Sequence, residues 1–193
     1  MMGRVTSDFF DRLSRGEDPQ IEEYAAKHPE RVSHLVLVGS FLQARLDPNG
    51  QEQWRALSKL IPTQWGTDNA RFLQLFTTLF LPDANAEQNR FFNDMQRMSS
   101  SAEMASITVR SIVDIDATET AASLSVPTLV LHKEGDLVMP IERGREIAAT
   151  IPGARFVQLP GANHWLFADT EAFNHIVAEI NKFVGSTGSG VGT

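Results

Sequence analysis

The stretch Pro127-Thr-Leu-Val-Leu-His132, followed by Lys-Glu-Gly-Asp136, decides the fold. Residues 127–132 form a largely apolar run of strand length. The lack of alternation between apolar and polar residues is typical of a strand buried on both faces of a parallel sheet. Two similar runs lie at His34-Leu-Val-Leu-Val38 and Arg155-Phe-Val-Gln-Leu159. The sequence therefore predicts three parallel strands near residues 34–38, 127–132 and 155–159.

Segments with helical periodicity surround these runs. Residues 141–151 lie between the second and third runs, and residues 171–184 follow the third with apolar side chains at helical spacing. Two short helices are predicted before the first run, over residues 7–16 and 18–28. The order strand, helix, strand, helix is that of a parallel sheet with right-handed crossovers. The predicted fold class is therefore α/β, with a short parallel sheet and flanking helices.

A long helical insertion interrupts this order at residues 41–125. The helices predicted within it span 54–60, 72–81, 91–98 and 104–115. Pro62 and Pro82 are expected to mark helix boundaries. An excursion of this length is either a cap over a site or additional core. Residues 1–184 are predicted to form one partial domain that includes the insertion as a cap, and the Gly/Ser-rich residues 185–193 are predicted to form a flexible tail.

The composition limits the classes of protein that the chain can represent. It has 193 residues, of which 42% are hydrophobic and 21% charged, and this suits one globular domain. A net charge of -7 argues against a nucleic-acid partner, because phosphate binding depends on Lys and Arg. The absence of cysteine excludes a disulfide framework, a zinc ribbon and a thiol nucleophile. Since no apolar stretch approaches the ~20 residues that span a bilayer and no signal-peptide core follows Met1, we expect a cytoplasmic protein without a membrane partner.

Two turns that follow predicted strands carry the candidate chemistry. Asp136 follows the second run, and His164 lies in the loop Pro160-Gly-Ala-Asn-His164 after the third. The carboxyl ends of parallel strands meet at one edge of a sheet, where open α/β sheets place their sites. An aspartate there can accept a hydrogen bond from the imidazole Nδ1–H while Nε2 faces a nucleophile. We therefore expect the two side chains within hydrogen-bonding distance and predict both as catalytic residues, although each alone is also compatible with a plain turn.

Other histidines do not indicate a metal site. They are His28, His34, His132 and His175, and no spacing among them suggests metal ligation. His132 ends a predicted buried strand, so it either packs in the core or braces the site. Neither a metal nor a cofactor is predicted.

Three segments resemble proteins of the α/β-hydrolase fold family. Residues 24–38 resemble the helix and strand that follow the family's nucleophile, residues 126–140 its acid-bearing strand and turn, and residues 151–164 its histidine loop. The resemblance extends over residues 21–184. It is greatest to bacterial hydrolase-like domains that are often fused to nucleotide cyclases or helix-turn-helix regulators. It implies a partial α/β-hydrolase fold that keeps the acid and the histidine of a serine-type triad, in the family's order Ser, Asp, His.

The family's nucleophile elbow, G-x-S-x-G, is absent from this sequence. The nearest match, Arg12-Leu-Ser14-Arg-Gly16, has arginine where the strained turn of the elbow needs glycine. Ser14 is therefore interpreted as part of a surface helix. The family's first strands and the loop that donates the second oxyanion N–H are not recognised either. The sequence is expected to be the C-terminal portion of a hydrolase domain.

Three interpretations of function remain open at this point. The first is a hydrolase of ester or related acyl bonds with a small-molecule acyl substrate, expected to be inactive as an isolated chain because no nucleophile is identified. The second is a non-catalytic ligand-binding or sensory domain. The third is a truncated gene product. A homodimer through the open edge of the first strand is also expected, because an unpaired apolar edge favours association.

Overall fold

The computed structural model of the protein describes residues 21–43, 48–65, 70–168 and 170–187. The predicted helix over residues 7–16, which includes Ser14, lies outside the described residues. The helix predicted over 18–28 is described from Ile21, and it ends at Lys27, before Pro29.

Three parallel strands form the sheet, in the order β1-β2-β3. They are β1 (Leu35–Val38), β2 (Thr128–Lys133) and β3 (Arg155–Leu159). The register pairs Leu35 with Thr128 and Leu129 with Arg155. All six residues of β2 are buried, which explains why its sequence shows no alternation. The predicted strands and their parallel pairing are confirmed.

Eight α-helices lie along the described parts of the chain. They are α1 (Ile21–Lys27), α2 (Pro48–Gln64), α3 (Ala70–Phe80), α4 (Ala86–Ser99), α5 (Ala102–Ser111), α6 (Thr118–Ala122), α7 (Ile141–Thr150) and α8 (Glu171–Thr187), with 3-10 turns at Pro29–Arg31 and Ile112–Asp114. None of the helices in the described ranges is both long enough and apolar enough to cross a bilayer.

The chain forms two compact units. The sheet unit takes in residues 22–42 and 79–84, and the described residues from 118 onward. The helical unit takes in the described residues of 43–78 and 85–117. The boundaries predicted for the insertion, and its role as a cap, stay predictions.

One cluster of the sheet unit's core lies between the sheet and α8. Leu129 and Leu131 of β2, together with Leu159 of β3, pack with Ile176 and Phe183 of α8. The two α8 residues are seven positions apart and so lie on one face of the helix. This face fixes α8 on the sheet, and the ends of β2 and β3 are held in place with it.

In the helical unit, two tryptophan side chains donate hydrogen bonds to backbone carbonyls. The Trp54 Nε1–H donates to the Val109 carbonyl at 2.8 Å, and the Trp65 Nε1–H donates to the Ser100 carbonyl at 2.9 Å. Each indole therefore combines apolar packing with a satisfied donor, as partly buried tryptophans require. The Asn85 side chain caps α4 by accepting from the backbone N–H groups of Glu87 and Gln88.

Two helix ends differ from the predicted ones. Pro62 lies inside α2, and the helix continues to Gln64. The proline removes only the hydrogen bond to the Ser58 carbonyl, near the end of the helix, where the cost is confined to the last turn. Likewise, α8 continues through Gly185 to Thr187, three residues into the predicted tail. Extending an existing helix adds one hydrogen bond per residue, which offsets the ~1 kcal/mol cost of the glycine.

Candidate active site

The turns after β2 and β3 come together at the carboxyl edge of the sheet. The Gly135 N–H donates to the Gly161 carbonyl at 3.1 Å, which ties one turn directly to the other. A Cβ at position 135 would lie 2.9 Å from the Ala162 Cβ. Glycine is therefore required at position 135 for the two turns to approach this closely.

Asp136 and His164 form a hydrogen-bonded pair across these turns. The His164 Nδ1 lies 2.6 Å from the Asp136 Oδ2, so the predicted contact is confirmed. The other carboxylate oxygen, Oδ1, accepts from the backbone N–H groups of Val138 and Met139, each at 2.9 Å. The Asp136 side chain is 2% exposed, and its carboxylate is held by three donors. This geometry fixes the carboxylate before any substrate arrives.

The surroundings of Asp136 favour its ionised form. Burial raises the pKa of the carboxyl, but the hydrogen bonds from His164, Met139 and Val138 and the charge of the imidazole outweigh burial. The pKa of Asp136 is therefore held below its usual range. An ionised carboxylate can only accept a hydrogen bond, so the proton of the neutral His164 ring lies on Nδ1. The Nε2 atom carries the lone pair that a general base needs.

Gly39 follows β1 and lies next to the Asp136–His164 pair, so the ends of all three strands meet at this site. Its N–H donates to the Leu131 carbonyl at 3.0 Å, and its backbone has a φ of 60°. A Cβ at this position would lie 3.0 Å from the His164 Cε1 and 3.7 Å from the Asp136 Oδ2. Both the left-handed backbone and the close approach require glycine. The sequence marks Gly39 only as the residue that interrupts an apolar run, so its contact with the imidazole was not predicted.

His132 braces the turn that carries Asp136. Its side chain is fully buried, and its Nε2 lies 2.7 Å from the Met139 carbonyl, to which it donates. The same atom is 4.0 Å from the Asp136 Oδ2. The buried Nδ1 of His132 has no hydrogen-bond partner. His132 therefore both packs in the core and supports the turn. The sequence had left these two roles as alternatives.

Lys133, the last residue of β2, contacts the histidine loop and is largely buried. Its Nζ donates to the Asn163 carbonyl, next to His164 in the chain. Burial lowers the pKa of Lys133, and the carboxylates of Asp136 and Asp83 oppose that change. Across the described residues, no group of three or more His, Cys, Asp or Glu side chains is placed to hold a metal ion.

This arrangement can accept a proton at Nε2 and stabilise the resulting imidazolium through Asp136. This is the chemistry that the acid and the base of a nucleophilic mechanism have to supply. The nucleophile elbow is absent from the printed sequence, and Ser14 lies outside the described residues.

Comparison with known proteins relates the sequence and the fold to one family. Residues 22–170 match the family described as alpha/beta hydrolase fold. The pimeloyl-(acyl-carrier protein) methyl ester esterase of Neisseria meningitidis is 28% identical over 155 residues, which cover 77% of this chain and 49% of that protein. The non-heme haloperoxidase of Rhodococcus erythropolis is 27% identical over 158 residues, covering 75% of this chain and 57% of that protein.

A solved structure agrees at the level of the fold. The enol-lactonase from Burkholderia xenovorans LB400 superimposes with a TM-score of 0.67 at 21% sequence identity. The superposition covers 85% of this chain and 60% of that one. This chain thus spans about half to three-fifths of the length of the proteins that it matches.

Proposed function

Because the chain belongs to the alpha/beta hydrolase fold family, we propose that Asp136 and His164 are the acid and the general base of a hydrolase acting on ester or related acyl bonds. One observation carries this proposal. The partly exposed His164 has its Nδ1 bound by a buried carboxylate that is itself fixed by two backbone N–H groups. The esterase and lactonase names among the relatives support an acyl substrate.

The proposed chemistry begins at the His164 Nε2. This atom takes the proton of a hydroxyl nucleophile as its oxygen attacks the carbonyl carbon of the substrate, and Asp136 stabilises the imidazolium that forms. The imidazolium then returns the proton to the leaving alcohol or amine as the acyl bond breaks. Water repeats the sequence on the acyl intermediate and releases the acid.

We propose that the nucleophile comes from a polypeptide segment that pairs with the free edge of β1. Within the described residues, β1 pairs only with β2. Gly39, at the end of β1, lies against the His164 ring, so a strand added beside β1 would end near this imidazole. A serine in the turn that follows such a strand would be close to Nε2. The isolated chain is accordingly expected to hydrolyse no ester.

A non-catalytic ligand-binding or sensory domain is the second candidate. The observation that favours it is the absence of any G-x-S-x-G motif in the sequence. In that case the pair would be a structural remnant, and supplying a nucleophile would not create activity.

A chimera separates the two candidates. It joins the N-terminal part of the Neisseria meningitidis esterase, up to the point where its similarity to this chain begins, to residues 22–187 of this chain. Circular dichroism establishes folding, and hydrolysis of p-nitrophenyl butyrate and labelling by a fluorophosphonate report the serine. We expect both signals in the chimera and neither in the isolated chain. A folded chimera that neither hydrolyses the ester nor reacts with the probe would favour the non-catalytic domain.

A further inference from the structure

The histidine loop, residues 160–165, is held by a short segment that lies far away in the sequence. That segment, residues 80–83, begins at Phe80, the last residue of α3. The His164 N–H donates to the Phe80 carbonyl at 2.7 Å. The Asp83 carboxylate accepts from the Ala162 N–H at 2.9 Å, and the Asp83 N–H donates to the Asn163 Oδ1 at 2.8 Å. Three consecutive residues of the loop are therefore each hydrogen-bonded to the segment.

The imidazole ring itself also contacts the segment. The Phe80 ring meets the His164 ring edge to face, with centroids 5.4 Å apart and planes at 81°. Such a contact restricts rotation of the imidazole about its own bonds. Phe80 thus acts on both the backbone and the ring of His164.

A cavity of about 160 Å³ lies beside the histidine loop, lined by Asp83, Lys133 and Asn163 among others. The empty space there contributes no van der Waals contacts to the loop, so the hydrogen bonds of Asp83 contribute to its placement. From the sheet, Lys133 holds the Asn163 carbonyl. The residue before His164 is thus bound both by the sheet and by the segment.

We propose that Asp83 is a positioning residue for His164: by holding Ala162 and Asn163, it sets where the imidazole sits relative to Asp136. The inference rests on the proposed function, because it treats His164 as the general base. Asp83 is exposed, so its hydrogen bonds contribute little to global stability. Their loss should therefore affect the loop far more than it affects unfolding.

The first test is an NMR measurement on the 193-residue chain. Asp83→Ala removes the acceptor for the Ala162 N–H, whereas Asp83→Asn keeps an acceptor oxygen. We expect the His164 Nδ1 proton in Asp83→Ala to exchange with solvent about tenfold faster or more, with nearly unchanged thermal unfolding. In Asp83→Asn the exchange rate of this proton should stay close to that of the wild type. Asp94→Ala, which removes an exposed carboxylate paired with Arg97 on α4, is the matched control and should leave the exchange unchanged.

A second variant guards against a misfolded Asp83→Ala. Asn163→Ala removes the oxygen that accepts from the Asp83 N–H, and it should accelerate the exchange in the same direction. If both variants fold and the His164 Nδ1 proton exchanges in both at the wild-type rate, the proposal is wrong. If both change the exchange only in proportion to a lower melting temperature, the role is structural and the proposal is also wrong.

The chimera gives the kinetic counterpart. There Asp83→Ala should lower kcat by about tenfold to a hundredfold with little change in KM, because a misplaced base slows the chemistry rather than binding. Asp83→Asn should restore most of the rate. An inactive chimera counts against the proposed function alone, because the exchange measurement on the isolated chain still decides the role of Asp83. An active chimera whose kcat is insensitive to Asp83→Ala would overturn the positioning role.

Discussion

The His164 Nδ1 lies 2.6 Å from the Asp136 Oδ2, while the Asp136 Oδ1 accepts two backbone N–H groups from its own turn. The two carboxylate oxygens therefore have different and fixed partners. The backbone holds one oxygen, so the other is aimed at the imidazole. This division of roles predicts what happens when the carboxylate becomes an amide.

Asp136→Asn should change the tautomer of His164. The N–H groups of Val138 and Met139 need an acceptor, so the amide oxygen takes the Oδ1 position and the amide nitrogen faces the imidazole. A nitrogen donor at that place requires a lone pair on Nδ1, and the ring proton moves to Nε2. The ¹⁵N chemical shifts of the imidazole should show that Nδ1 has lost the proton and that Nε2 carries it. Asp94→Asn should leave the His164 shifts unchanged, and persistence of the Nδ1 proton in Asp136→Asn would contradict the assignment.

The lowered pKa of Asp136 predicts a loss of stability in acid. Because the carboxyl binds its proton at a lower pH when folded than when unfolded, the ionised group contributes stability above about pH 4. That contribution is lost as the pH falls through the folded-state pKa. Urea unfolding of the wild type and Asp136→Asn should give a difference in unfolding free energy that is constant above about pH 5 and shrinks below pH 4. A difference that stays constant down to about pH 2 would be inconsistent with a lowered pKa.

Gly39→Ala should disturb the imidazole as well as the backbone. The new Cβ would lie 3.0 Å from the His164 Cε1, and the backbone φ of 60° adds a cost of about 1–2 kcal/mol. Gly153→Ala is the matched control, because Gly153 has a φ of 71° and no atom within 4 Å of its Cβ position. Both variants should lose stability, measured by urea unfolding, and Gly39→Ala should lose more because of the close contact. Only Gly39→Ala should shift the His164 ring resonances, and equal spectra for the two variants would refute the contact.

The free edge of β1 predicts self-association of the isolated chain. Leu35 and Gly39 donate their N–H groups toward β2, so the N–H groups of Val36 and Val38 point to the opposite side. Sedimentation velocity at micromolar concentration should detect dimers or larger species. Val36→Pro removes one outward N–H without breaking the β1–β2 pairing and should shift the chain toward monomer. A monodisperse wild-type monomer would show that the edge does not associate.

The sequence predicted the elements whose signals are local. The unbroken apolar run of β2 indicates burial on both faces, and the turns after β2 and β3 place Asp136 and His164 at one edge of the sheet. Their hydrogen bond could therefore be expected before any coordinates. The reason is that parallel pairing fixes where strand ends meet.

The contacts around the pair depend on tertiary packing and left little trace in the sequence. Residues 80–83 span the end of a predicted helix and the turn after it, and nothing in their pattern indicates that they bind a loop about eighty residues later. Gly39 follows a strand as many glycines do, and only the structure shows that its missing Cβ makes room for the imidazole. Pro62 is expected to end α2 but lies in its last turns, because the cost of proline falls near a helix end.

The proposed role of His164 is that of a general base held by Asp136. Its most direct test is the rate of p-nitrophenyl butyrate hydrolysis by the folded chimera and its His164→Ala variant, with His175→Ala, on the exposed face of α8, as the matched control. We predict that His164→Ala lowers kcat by at least about 10³-fold while His175→Ala leaves it unchanged. Equal rates of hydrolysis in the chimera and its His164→Ala variant, both folded by circular dichroism, would contradict the claim.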